Sequence, residues 1–247
     1  MPAPTTTPAP DEQPRDDDPR RRIAVYAAPR GATQLGEHAA RWLGRHIDPL
    51  PAPAPAEIER VESGRLWELT REPRLYGFHG TLKPPFHLAP SSDVDAVHAT
   101  VAGLAAVRAP VAVGRLRVDV VDRFVALVPD DPPDALADLA AACVTELDPH
   151  RRPADELELT RRRRAGLSER QGELLLAWGY PYVLDEFRFH LTLTRRLEAG
   201  EADDVLAAAR TWFEPVESEP YVIDELCVVE QPAPGEPFVV TARHPLG

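Results

Sequence analysis

One pentad occurs twice in this chain, and it constrains the fold more than anything else in the sequence. Phe78-His79-Gly80-Thr81-Leu82 and Phe189-His190-Leu191-Thr192-Leu193 share the pattern F-H-x-T-L. A lone H-x-T triplet arises by chance in about four of ten chains of this composition, but two copies flanked by Phe and Leu are very rare. The spacing is that of a strand, whose successive side chains point to opposite faces. In the first copy His79, Thr81 and Lys83 then share one face, and Phe78 and Leu82 the other. In the second copy Arg188, His190, Thr192 and Thr194 share a face, with Phe187, Phe189, Leu191 and Leu193 mostly behind them. Each strand thus has an apolar face for a core and a face of imidazole, hydroxyl and cation.

Two such strands fit acid–base chemistry at phosphorus. One imidazole takes the proton of an attacking hydroxyl or water, and the other protonates the leaving oxygen. Threonine hydroxyls beside each histidine bind the non-bridging oxygens, and a lysine or arginine offsets the charge that develops there. His79, His190, Thr81 and Thr192 are the expected catalytic residues. Which histidine is acid and which is base stays open, because attack from either side of the phosphorus is equivalent in this description. Lys83 and Arg188 are expected to contact phosphate. Tyr26 and Tyr76 are expected to bind the substrate by stacking on a base or ribose, and Tyr182 to bind it by lining the cleft. The chemistry requires no cofactor, and no metal-ligand spacing is evident. Cys143 and Cys227 read as core residues.

Composition narrows the classes. The 247 residues allow one large domain or one built from two lobes. Lys and Arg number 28 against 40 Asp and Glu, a net charge of −12. Such a chain repels long nucleic acid and anionic membranes, and favours a small phosphorylated substrate. Two cysteines provide neither a disulfide scaffold nor a four-thiolate zinc site. There is no G-x-G-x-x-G, Walker-type lysine loop, nucleophile elbow or H-E-x-x-H. Residues 1–21, rich in Pro and Asp, read as a disordered tail without the apolar segment of a signal peptide. The expectation is a cytoplasmic monomer with no membrane association.

The elements alternate irregularly, which predicts an α+β fold. Ile23–Ala27 reads as a buried strand, Thr33–His46 and Ile58–Thr70 as helices, and Tyr76–Leu82 as a strand stopped by Pro84 and Pro85. Ser92 is the expected cap of a helix to Val107. A hairpin is expected around Asp122-Arg123, then a helix capped by Asp134. Residues 151–178 read as a helical insertion recapped at Ser168. It contains the run Arg161–Arg164, read as a solvated face or a lid that steers anions. A strand over Glu186–Thr194, a helix over Ala202–Phe213, and strands over Tyr221–Val229 and Phe238–Ala242 complete the 22–247 domain.

The two H-x-T motifs resemble those of the 2H phosphoesterase superfamily. Tyr76-Gly77-Phe78-His79-Gly80-Thr81-Leu82-Lys83-Pro84-Pro85-Phe86 is similar to the first motif of its phosphonate-operon branch. So are Trp178–Tyr182 and Asp185–Thr194 around the second motif. Gly80 and Pro84 stand where that branch commonly has Ala. The resemblance implies a two-lobed fold with pseudo-twofold antiparallel sheets flanked by helices, each lobe giving one H-x-T to a central cleft. It also implies a cyclic phosphodiesterase or related phosphoesterase acting on a small cyclic phosphate, with a place in phosphonate metabolism. The alternatives are an enzyme of RNA 2′,3′-cyclic phosphate ends and a non-catalytic module that binds a nucleotide or metabolite.

Overall fold

A computed structural model describes residues 20–247 apart from 55, 60, 155–158 and 161–165. The expected tail (residues 1–19 of it) and the arginine run lie outside the described residues. The fold is α+β: nine strands and seven α-helices among the described residues. The strands are β1 (Arg22–Ala27), β2 (Gly80–Phe86), β3 (Val111–Gly114), β4 (Leu116–Val121), β5 (Phe124–Pro129), β6 (Leu191–Thr192), β7 (Tyr221–Ile223), β8 (Glu225–Gln231) and β9 (Val239–Pro245). The helices are α1 (Gln34–Leu43), α2 (Ser63–Leu69), α3 (Arg71–Tyr76), α4 (Val94–Ala106), α5 (Asp134–Glu146), α6 (Glu169–Trp178) and α7 (Ala202–Glu217).

Seven strands form one antiparallel sheet in the order β4-β5-β6-β2-β1-β8-β9, and β3 pairs with β7 beside it. The two motif strands, β2 and β6, are neighbours at the middle of the large sheet. They pair at one position, Gly80 opposite Leu191. The sheet is therefore two halves, β4-β5-β6 and β2-β1-β8-β9, sewn together between the motifs.

The apolar residues of the motifs go where strand parity sends them. Phe78, Leu82, Phe189, Leu191 and Leu193 all join the main core. That core is closed by Trp42 from α1, Leu69 from α2, Val97 and Val101 from α4, Leu139 and Cys143 from α5, and Phe213 from α7. A smaller cluster lies behind β1 on its other face: Ala24, Tyr26, Ala28, Cys227, Val229, Phe238 and Val240, with Tyr76 packed against it. β1 is buried on both faces, which explains its unbroken apolar run.

Several elements depart from the sequence expectation. The Ile58–Thr70 helix is only Ser63–Leu69, followed directly by α3, whose last residue is Tyr76. β2 therefore starts at Gly80 and runs through Pro84 and Pro85. These prolines lie past the end of the two-residue β6, where no ladder bond needs their missing N–H. The second motif strand shrinks to Leu191–Thr192 because side chains take its later ladder positions. The Thr194 hydroxyl accepts from the Val125 amide at 2.9 Å, and the Trp42 indole donates to the Leu193 carbonyl at 2.9 Å. The cap of α4 is Asp93, whose carboxylate accepts from the Ala96 amide at 2.8 Å, and not Ser92. Asp134 is the first helical residue of α5 and Pro133 its cap position. Ser168 does cap α6, in a reciprocal capping box with Gln171. No described helix is long and apolar enough to cross a membrane.

Candidate active site

The pairing of Gly80 with Leu191 decides the geometry. Opposed residues of an antiparallel pair project to one face, and so do residues i and i+2 of each strand. With the central residues of the two motifs opposed, His79 falls beside Thr192 and His190 beside Thr81. The four polar side chains form a square on one face of the sheet, the face opposite the main core. All four are half-buried.

The two histidines are held alike. His79 Nδ1 lies 2.9 Å from the Gly77 carbonyl, and His190 Nδ1 lies 2.8 Å from the Arg188 carbonyl. A carbonyl only accepts, so each imidazole is protonated at Nδ1 and carries its lone pair on Nε2. His79 Nε2 accepts from the Thr81 hydroxyl at 3.1 Å. Burial pushes His79 down to about 4, opposed by its bond to Gly77 and reinforced by His190 and Arg45. His190 is also lowered, chiefly by burial. Both rings are thus neutral bases near pH 7.

Two of the expected substrate contacts are not open to a substrate. Lys83 does not share the face of Thr81. Tyr26 pairs with Thr81 but Val25 pairs with Lys83, so Leu82 is an extra residue on β2. This bulge turns Lys83 to the core side. There it is 1% exposed and donates to the Val144 carbonyl of α5 at 2.8 Å and to Asp148 at 3.4 Å. Tyr26 is on the site face but is 0% exposed, its ring covered by the His79 imidazole at 3.6 Å and 17°. It offers no open face to a base or ribose. Arg188 lies before β6 and is exposed, and its carbonyl meets His190.

Tyr76 does reach the site, 6.4 Å from His79 and stacked on Phe238 at 5.2 Å. Tyr182 is exposed and meets Tyr180 edge-on at 5.8 Å. Of that pair it is Tyr180 that is felt by the Tyr26 hydroxyl, which is raised well above its ordinary value by burial first and then by Tyr76 and Tyr180.

Two cations were not expected. Arg22 shares the site face of β1 with Tyr26, lies over the Phe238 ring at 5.2 Å and donates to Gln231 at 2.8 Å. Arg45 donates to the carbonyls of His46, Arg74, Leu75 and Phe238, and its charge reaches His79. Among the described residues neither pairs with a carboxylate. Strand parity from Tyr26 back through Ala24 reaches Arg22; nothing local in the sequence points to Arg45. Among the described residues no three His, Cys, Asp or Glu side chains converge as metal ligands would.

The family model described as protein of unknown function DUF1045 matches residues 81–239. The chain belongs to the DUF1045 family. Its curated relatives include proteins named ribose 1,5-bisphosphate phosphokinase PhnN. That of Janthinobacterium sp. (strain Marseille) is 37% identical over 232 residues, covering 91% of this chain and 50% of the relative. That of Laribacter hongkongensis (strain HLHK9) is 34% identical over 218 residues, covering 88% and 50%. The chain spans about half the length of these relatives. Among solved structures, E. coli LigT complexed with phosphate aligns at a TM-score of 0.40 and 14% identity, over 92% of this chain and 97% of that one. TT0787 of Thermus thermophilus aligns at 0.45 and 15%, over 91% and 97%.

Proposed function

We propose that this member of the DUF1045 family is a metal-independent phosphoesterase that opens a small cyclic phosphate, and that His79, His190, Thr81 and Thr192 carry the reaction. The observation behind this reading is the square of two histidines and two threonines around the Gly80–Leu191 pair, with both Nδ1 atoms tied to carbonyls. That tie supports a lone pair on each Nε2, facing the same space. One Nε2 takes a proton from water as its oxygen bonds to phosphorus. The ring P–O bond breaks, and the other imidazole, which takes up a proton from solvent as the anionic phosphate binds beside it, gives that proton to the leaving oxygen. The product is a phosphomonoester, and the two histidines have exchanged protonation states. Thr81 and Thr192 hydrogen-bond the non-bridging oxygens, and Arg22 and Arg45 supply the positive field.

The relatives' name, which refers to a ribose bisphosphate, supports a phosphorylated ribose as the substrate class. This chain has no Walker-type lysine loop and matches half of those proteins, so the phosphokinase chemistry is not read onto it. A phosphorylated ribose bearing a cyclic phosphate fits both the name and the site, and it suits a role in phosphonate metabolism. The decisive assay follows ring opening by phosphorus NMR, with ribose-based cyclic phosphates set against an RNA 2′,3′-cyclic end. The expected result is turnover of the ribose substrate that survives EDTA and falls about 100-fold or more in His79→Ala and in His190→Ala. Full activity in either variant would refute the mechanism, and preference for the RNA end would move the substrate class. Tight binding without turnover would identify a binding module.

A further inference from the structure

We propose that Tyr26 is a positioning residue for His79: its buried ring is the shelf on which the imidazole lies, fixing the ring plane and excluding water from one face. The proposal rests on the site reading above only for its kinetic arm.

The geometry is specific to one of the two histidines. The rings of Tyr26 and His79 are 3.6 Å apart and 17° from parallel. Tyr26 is held in β1, opposite Thr81, and is wholly buried in the small cluster with Phe238 and Cys227. The Gly77 carbonyl holds one edge of the imidazole at 2.9 Å. An edge and a plane together leave Nε2 a single direction, towards Thr81 and the site. His190 has the equivalent edge contact, but its aromatic neighbour Phe124 is 5.4 Å away and tilted by 42°. The two histidines are therefore related by sequence and unequal in surroundings.

The ring also works through what it shares with the other groups around His79. Those groups are Tyr26 from β1, Tyr76 from α3, Arg45 from the turn after α1, and His190 before β6. None is an anion at neutral pH, so the Gly77 carbonyl alone offsets the loss of water around an imidazolium, and the Tyr26 ring keeps water from one face. The Tyr26 hydroxyl has no hydrogen-bond partner among the described residues. It is the ring, not the hydroxyl, that has the role.

The test is a histidine titration by long-range proton–nitrogen NMR on the full chain, comparing wild type, Tyr26→Phe and Tyr26→Leu. His79 is expected to stay neutral down to about pH 4 in wild type. In Tyr26→Phe its midpoint stays with wild type, and in Tyr26→Leu it rises by about one unit or more as water reaches the ring. His190 keeps its midpoint throughout and reports that the site is folded. If Tyr26→Leu fails to fold, Tyr26→Met is expected to give the same rise. A His79 midpoint that stays with wild type in the folded aliphatic variant overturns the proposal, and so does a Tyr26→Phe midpoint that moves with the Leu variant. In turnover, the acid limb of kcat/KM for a ribose cyclic phosphate is expected to move with the His79 midpoint where His79 is the base, and the alkaline limb where it is the acid. Wild-type protein that opens no cyclic phosphate would refute the phosphoesterase reading, while the titration would still decide the role of Tyr26.

Discussion

Gly80 shows how closely one residue can be specified. It occupies the middle of the first H-x-T motif, where the phosphonate-operon branch commonly has Ala. A Cβ there would lie 2.2 Å from the Phe189 ring, which belongs to the second motif. The bare glycine is what lets the two motifs close on each other, with Gly80 opposite Leu191. Gly80→Ala is expected to cost about 1–3 kcal/mol through overpacking, read by urea denaturation, and to lower turnover by spreading the histidines. Adding Phe189→Leu should recover part of both losses. An additive double variant would show that the two residues do not meet.

At the scale of elements, the bulge in β2 separates the site from its support. Strand parity predicts Lys83 on the face of the histidines; one extra residue sends it to the core. There it ties β2 to the last turn of α5 and to Asp148, which Arg151 also holds at 2.7 Å. Arg151 in turn reaches the Ala177 carbonyl of α6 at 3.0 Å. The chain of contacts links the first motif strand to the helix that precedes Tyr180 and Tyr182. Burial pushes Lys83 down to about 8, against the pull of Asp148. Lys83→Met leaves the Val144 carbonyl and Asp148 each short of a donor. It should cost about 1–3 kcal/mol of stability. The loss should appear in the denaturation midpoint, whereas a phosphate contact would appear as a raised KM.

At the scale of the molecule, the histidines couple folding to pH. His79, His190, His150 and His244 are all lowered, chiefly by burial. An unfolded imidazole takes a proton near 6.5, whereas folded His79 resists until about 4. Between those values the unfolded chain binds more protons, so stability is full above pH 6.5 and falls as the pH drops towards 4. The melting temperature should therefore decline from pH 7 to pH 5, and His79→Gln should flatten the decline. A melting temperature that is level across this range would contradict the buried, neutral histidines.

Much of this architecture is legible in the sequence by itself. Period-two spacing and two copies of one pentad are enough to place His79, Thr81, His190 and Thr192 on polar faces and Phe78, Leu82, Phe189 and Leu193 in a core, because side-chain alternation is a local property of an extended backbone. The α+β class and the β1 strand follow from equally local patterns. What tertiary structure decided is which strands meet and in what register. The Gly80–Leu191 pairing, the bulge that withdraws Lys83, the imidazole lying on Tyr26 and the arrival of Arg45 beside His79 all depend on contacts between residues far apart in the chain. Sequence patterns describe a strand's own faces; only packing settles what each face is pressed against.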